Sequence, residues 1–140
     1  VEFIAQYLQL RHAAKCPEIL NPRTTDVLAT LEDAALLSAD DAACLIRAAH
    51  IYGAVRGFMR QCMGEDTDPT RMTSADMREK LAQIAGAADI DELEQTIRDL
   101  QASVMSIYTR LIEDPANAIE QRNESNPNDN AGDDRDSNAE

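Results

Sequence analysis

Apolar residues recur at alternating steps of three and four positions between residues 90 and 111, the clearest periodicity in the sequence. Such spacing predicts one long helix with a continuous apolar stripe. The stripe could pair two chains as a coiled coil, but we favour a helix that lies across several partners in a bundle. Its members are Ile90, Leu93, Ile97, Leu100, Val104, Ile107 and Leu111.

Four further helices are predicted ahead of this one, and no strand. The chain is 44% hydrophobic but only 4% aromatic, with no Trp, which gives little material for β-strands. We therefore expect an all-α fold, a bundle of about five helices. The first helix is predicted from residue 1 to about Lys15, and the second begins after a cap at Thr24 or Thr25. The third covers residues 39–63 and follows the capping box Ser38–Asp41, and the fourth runs from Thr73 or Ser74 to Gly86.

The third helix, residues 39–63, has two glycines in its interior, Gly53 and Gly57. Each costs about 1 kcal/mol against alanine in a helix. Two explanations stay open: a close approach by another helix, or a local weakness or kink. The buried side predicted for this helix is Leu45, Ile46, Ala49, Tyr52, Val55, Met59 and Cys62.

The composition changes near residue 116. Residues 116–140 contain six Asn, seven acids, two Arg and one large apolar residue, Ile119. Such a segment buries too little apolar surface to offset the entropy of ordering it. We predict a helical domain over residues 1–115 and a disordered acidic tail over residues 116–140.

The net charge of −13 bears on partners and location. An acidic surface repels phosphate backbones and anionic membranes, so we expect no nucleic-acid or membrane binding. No apolar run reaches the length of a membrane span, and no signal peptide is visible. Three cysteines without framework spacing (Cys16, Cys44 and Cys62) suit reduced thiols. A cytoplasmic location is the expectation.

The first segment reads Val-Glu-Phe-Ile-x-Gln-Tyr-Leu-x-Leu-Arg-x-Ala, with the apolar face of a helix already running at Phe3 and no cap before it. This predicts a piece of a longer protein. The segment resembles one in bacterial glutamine-synthetase adenylyltransferase/deadenylylase, where it opens the helical domain that follows each nucleotidyltransferase domain. The resemblance covers roughly residues 1 to 115, but it is specific mainly in residues 1–12.

The resemblance implies that the parent protein transfers AMP from ATP to a tyrosine of glutamine synthetase with magnesium, and removes it phosphorolytically at a second site. It also implies regulation by PII signal protein and glutamine. This chain would be the C-terminal helical domain, without catalytic residues and binding neither ATP nor magnesium itself. Glu2 and Gln6 match the family motif and would lie at the active-site rim or at the interdomain joint. The simpler explanation, which we favour, is that Glu2 is a first-turn helix acid and Gln6 a surface amide.

Other candidates for chemistry have simpler explanations. Asp89 and Asp91 imitate the metal-binding Asp-x-Asp pair of nucleotidyltransferases, but they lack the Gly-Ser turn and precede a heptad helix, so we expect a helix cap. His12 and Cys16, four apart, lack the two further ligands of a zinc site. The Asp66–Asp68 segment lacks the glycine and glutamate of an EF-hand loop. No Arg or Lys cluster fit to hold ATP is visible.

A second hypothesis belongs to another class of protein. The same acidic helices could form a free-standing protein-interaction module with no enzymatic parent. That hypothesis accounts for the charge and the bundle, but it leaves the opening motif and its missing cap unexplained.

Overall fold

The computed structural model of the chain describes residues 1–63 and 74–125. The predicted all-α fold is confirmed, because every regular element among these residues is helical. A 3₁₀ turn, Pro17–Ile19, follows the first helix, and a π-helical turn, Thr109–Glu113, follows the fifth. The α-helices are α1 (Glu2–His12), α2 (Thr24–Asp33), α3 (Ala39–Met63), α4 (Ala75–Ala85), α5 (Ile90–Tyr108) and α6 (Asp114–Ser125).

One hydrophobic cluster joins α1, α2 and α3. In α2, Leu28 and Leu31 are completely buried, and Leu45 of α3 belongs to the same cluster. Polar contacts fix the connection between α1 and α2, since the Gln9 side-chain amide donates to the carbonyl oxygens of Ile19 (2.8 Å) and Asn21 (3.0 Å). The inner face of α1 contributes Ile4, Ala5 and Leu8.

The predicted helix ends are set by local hydrogen bonds. Asp89 accepts a hydrogen bond from the Glu92 backbone N–H at 2.8 Å, so it caps α5 as expected. Ser38 likewise accepts from the Asp41 N–H at 3.2 Å. Gly86 ends α4 in the left-handed conformation, φ +77°, that the sequence predicted for a C′ glycine. At α2 the predicted cap, Thr24 or Thr25, was one or two residues late, because Arg23 occupies the N-cap position.

The buried side of α3 differs from the predicted one. Leu45 is buried as expected, whereas Cys62 is exposed and Ile46, Ala49, Tyr52, Val55 and Met59 are only half-buried. The reason is that α3 contacts α2, α4 and α5, so its apolar residues are distributed around the helix rather than along one stripe. The fully buried positions missed by the prediction are Ala42, Ala48, Ile51 and Phe58.

The apolar stripe of α5 follows the heptad prediction as far as Ile107. Leu93, Leu100 and Ile107 are buried in the two hydrophobic clusters. Beyond them the buried position is Ile112 instead of the predicted Leu111, which is half-buried. The π-helical turn lies at this point, and its extra residue per turn shifts the face that points inward.

The boundary predicted between residues 115 and 116 falls inside α6, which extends to Ser125. The helix that begins at Asp114 continues to Ser125, so the segment predicted to be disordered begins inside a helix. Residues 126–140 lie outside the described residues, and so does the Asp66–Asp68 segment. Disorder of residues 126–140 stays a prediction.

Leu100→Ala should lower the free energy of unfolding by about 2–5 kcal/mol, because the Leu100 side chain is only 6% exposed and its loss leaves a cavity. Urea unfolding followed by circular dichroism measures this. Leu10→Ala is the matched control, since Leu10 is 85% exposed and its loss should leave the urea midpoint nearly unchanged. An unmoved midpoint for Leu100→Ala would contradict the packing of α5.

Asp41 ties α3 to the π-helical turn through a 2.7 Å ion pair with Arg110. Burial would raise the pKa of Asp41, but hydrogen bonds from Arg110 and Ser38 and the charge of Arg110 hold it below its ordinary value of 3.8. The pair thus contributes stability above pH 4 that is lost as the pH falls through the lowered pKa.

Asp41→Asn should therefore destabilise the chain by about 1 kcal/mol at pH 7, a modest value because Arg110 is half-exposed. The difference in stability between the variant and the unsubstituted chain should shrink below about pH 4, because the Asp41 carboxylate is protonated first in the unfolded chain and then, at lower pH, in the folded one. Thermal unfolding at pH 7 and pH 3 tests it, with the exposed neighbour Asp40→Asn as control. A difference that grew on acidification would refute the ion pair as the cause.

Candidate functional site

An open groove of about 670 Å³ lies between the starts of α1 and α2 and the middle of α3. We call it the arginine groove, because three of its lining residues are arginines from two helices. Arg23 comes from the N-cap position of α2, while Arg56 and Arg60 lie one turn apart on α3. The structure thus gathers basic side chains in a chain whose net charge is −13.

Glu2 is the sole acid among the described residues that line the groove. Its carboxylate pairs with the Arg56 guanidinium at 3.2 Å, which joins the first turn of α1 to α3. Both side chains are more than half exposed, so the pair contributes well under about 1 kcal/mol to stability. Among the residues that the structure describes, three arginines and one glutamate line the groove, which is an excess of positive charge in this part of the chain.

Gly53 and Gly57 line the same groove, each beside an arginine position of α3. A Cβ atom at either glycine would meet nothing within 4 Å among the described residues. The close helix approach considered from the sequence is therefore absent from this part of the chain. What the glycines do instead is leave the α3 backbone uncovered along the groove.

Tyr52 is also among the residues that line the groove. Its hydroxyl oxygen is buried and has no hydrogen-bond partner among the described residues. Burial and the neighbouring Cys44 raise the pKa of Tyr52, so the phenol stays protonated and can donate a hydrogen bond at neutral pH.

The first turn of α2 also lines the groove, through Thr24 and Thr25. No side-chain hydrogen bond caps this helix, and the Arg23 backbone N–H donates to the Asn21 side chain at 2.9 Å. The first N–H groups of a helix have no partner within the helix and carry the positive end of its dipole. The helix dipole at this end of α2 therefore has the same sign as the arginines, while the acid Asp26 lies in the same turn but does not line the groove.

A second surface runs along the outside of α1, which we call the outer α1 face: Phe3, Gln6 and Leu10. Positions three and four apart share one side of a helix, so these residues form a row. All three are exposed, Phe3 by 58% and Leu10 by 85%. The Phe3 ring lies 6.0 Å from that of Tyr108 on α5, near the start of the row. Two large apolar side chains thus remain in water beside an amide.

The two residues predicted for a rim or joint lie on different surfaces. Glu2 is at the groove, paired with Arg56, and Gln6 is one turn further along, in the middle of the outer α1 face. Because the helix places both on its solvent side, they are accessible to a neighbouring domain. A position at the active-site rim or at the interdomain joint stays a prediction for both residues.

The remaining candidates have structural roles or no shared geometry. Asp89 caps α5 and Asp91 lies in the first turn of the same helix. Cys16 is buried, and a hydrogen bond with Glu18 raises its pKa, which disfavours the thiolate that binds metals. Across residues 1–63 and 74–125 no three His, Cys, Asp or Glu side chains are grouped closely enough to hold a metal ion.

The sequence analysis did not predict the arginine groove, although the sequence contains a signal for the part of it that α3 contributes. Gly53 and Gly57 are four residues apart, as are Arg56 and Arg60, which places the four positions on one face of α3. Arg23 has no such signal, because it is distant in sequence and joins the group only through the packing of α2 on α3.

Residues 1–112 match the family model described as GlnD PII-uridylyltransferase. Similar curated proteins are named bifunctional glutamine synthetase adenylyltransferase/adenylyl-removing enzyme. One from Bradyrhizobium sp. strain BTAi1 is 35% identical over 81% of this chain, and one from Xanthobacter autotrophicus strain Py2 is 36% identical over 83%. One from Rhodopseudomonas palustris strain BisB5 is 35% identical over 80%.

These relatives are far longer than this chain, which spans only 11–12% of their length. No solved structure matches the chain. In the described part of the molecule, none of the helices combines the length and the apolar character that a membrane crossing requires.

Gly53→Ala and Gly57→Ala should each stabilise the chain by about 0.5–1 kcal/mol, because the added methyl group meets open space and alanine is the better helix former. Gly86→Ala should destabilise it by a comparable amount, since φ is +77° there. Urea unfolding of the three variants measures both signs. If Gly53→Ala or Gly57→Ala lowered the stability, another part of the protein would have to lie against the glycines.

Proposed function

Because the chain belongs to the GlnD PII-uridylyltransferase family, we propose that it is the helical, non-catalytic part of a longer glutamine-synthetase adenylyltransferase. The support is the similarity to curated adenylyltransferases over about four-fifths of the chain. In that proposal, residues 1–115 form the C-terminal helical domain of the parent, after a nucleotidyltransferase domain. The free-standing interaction module is not favoured, because it gives no reason for this similarity.

The proposed reaction of the parent is transfer of AMP from ATP to glutamine synthetase, and its removal at a second site. The name of the relatives, adenylyltransferase and adenylyl-removing enzyme, agrees with both directions. ATP and magnesium would be held by the nucleotidyltransferase domains. Regulation by PII signal protein and a cytoplasmic location are further parts of the proposal.

The non-catalytic role is supported by how the chain uses its acids. Phosphoryl-type transfer needs carboxylates that can share a metal close to a phosphate-holding turn. Asp89 and Asp91 are the nearest imitation, but the Asp89 carboxylate is hydrogen-bonded to the Glu92 backbone at the start of α5. The Asp41 carboxylate is engaged as well, in its ion pair with Arg110.

The outer α1 face is the proposed contact with the nucleotidyltransferase domain. Leu10 and Phe3 are largely exposed in this chain, and burying a Leu or Phe side chain gains roughly 1.5–3 kcal/mol. Gln6 lies between them and can donate and accept hydrogen bonds at such a joint. Glu2, held by Arg56, would keep the first turn of α1 in place at its edge. The exposed apolar row is the observation that carries this part of the proposal.

The test compares labelled AMP incorporation into glutamine synthetase by the 140-residue chain, by its nucleotidyltransferase domain, and by the two fused. We expect no incorporation by the chain alone and more by the fusion than by the catalytic domain alone. Activity of the chain alone that disappears in Asp89→Ala and Asp91→Ala would overturn the non-catalytic role.

Two variants of the fusion test the joint itself. Leu10→Ser should lower AMP incorporation and the thermal midpoint of the fusion while leaving the isolated chain nearly unchanged, because Leu10 is exposed there. Leu20→Ser is the matched control, a 63% exposed leucine outside the outer α1 face. Equal effects of the two changes on the fusion would contradict the proposed contact.

A further inference from the structure

We propose that the arginine groove binds an oligophosphate group, either free pyrophosphate or the phosphate chain of a nucleotide. Its central residues are Arg23, Arg56 and Arg60. The inference does not rest on the proposed function, because it concerns binding by these described residues and not AMP transfer. From the sequence we expected no nucleotide binding by this chain, because no cluster of arginines or lysines that could hold ATP was visible. The fold brings three arginines together, so that reason no longer applies.

The charges of the residues that line the groove favour an anionic ligand. Arg56 and Arg60 lie four apart on α3, where like charges repel, and Arg23 of α2 faces the same space. Of the described residues that line the groove, Glu2 alone supplies a negative charge against these three positive ones. A ligand with two or more negative charges would balance the remainder, which a single carboxylate would not.

The donors in the groove suit phosphate oxygens. Guanidinium groups bind phosphate through two parallel N–H bonds, and the first turn of a helix offers backbone N–H groups to anions. Arg23 sits at that turn, with Thr24 and Thr25 beside it on the groove.

The size of the groove argues for more than one phosphate. A space of about 670 Å³ is within the range of about 300–1,000 Å³ typical of small-molecule sites and exceeds what a single phosphate fills. Gly53 and Gly57 keep the α3 side of it open, because no side chain projects from them. Two linked phosphates could then contact arginines of both helices at once.

Isothermal titration calorimetry of the 140-residue chain with sodium pyrophosphate tests this, with divalent ions removed and ionic strength held constant. Orthophosphate and ADP are the comparison ligands. We expect saturable binding of one pyrophosphate, tighter than that of orthophosphate. Equal affinity for ADP and pyrophosphate would assign recognition to the phosphates alone, and tighter binding of ADP would add a nucleoside contact; both support the proposal.

Arg23→Gln and Arg60→Gln should each weaken pyrophosphate binding by about tenfold, the value of one charge-assisted hydrogen bond. Arg47→Gln is the matched control, because Arg47 is an exposed arginine of α3 that does not line the groove. Heat without saturation, or an equal loss in Arg47→Gln, would overturn the proposal, since it would show a response to net charge only.

A steric variant separates the groove from the charge. Gly57→Leu places a side chain in the groove without altering any charge, and its Cβ meets nothing within 4 Å, so the chain should still fold. Circular dichroism checks the fold. We expect at least a tenfold loss of pyrophosphate binding. Unchanged binding by a folded Gly57→Leu variant would place the phosphate outside the groove and refute the inference.

Discussion

Burial of α2 between α1 and α3 is the packing on which the other features of the molecule depend. Leu28 and Leu31 are withdrawn completely from solvent, and the inner face of α1 closes over the same cluster. Because Gln9 also holds the backbone after the 3₁₀ turn, α1 is fixed in position as well as covered. This packing sets two things at the surface: the outer α1 face points away from the bundle, and Arg23 is brought beside α3.

The two surfaces that α1 and α2 create differ in chemistry, and they meet at the first turn of α1. On one side Phe3 and Leu10 expose apolar area, which suits contact with another folded domain. On the other side, the groove combines arginines, a helix start and open backbone, which suits a small anion. Glu2 lies at the boundary, paired with Arg56. A domain docked on α1 would therefore lie next to any ligand bound in the groove.

Local signals predicted much of this fold, and long-range packing explains what they missed. The Asp89 cap, the Gly86 C′ position and the limits of α3 depend on neighbouring residues, so the sequence alone was enough. The buried side of α3 was misplaced because that helix contacts three others, and the stripe of α5 shifted at the π-helical turn. Glu2 and Gln6 were found through a motif, but their placement on separate surfaces needed the fold. The arginine groove was invisible because Arg23 reaches α3 only through tertiary packing.

The proposed contact between the outer α1 face and a nucleotidyltransferase domain can be measured directly by side-chain footprinting. Hydroxyl-radical labelling would be compared at Phe3 and Leu10 in the 140-residue chain and in the same chain joined to that domain, with Leu20 as the internal reference. Phe3 and Leu10 are exposed here, so they should be labelled strongly in the chain alone and protected in the joined protein. If Phe3 and Leu10 were labelled as strongly in the joined protein as in the chain alone, the proposed contact would be contradicted.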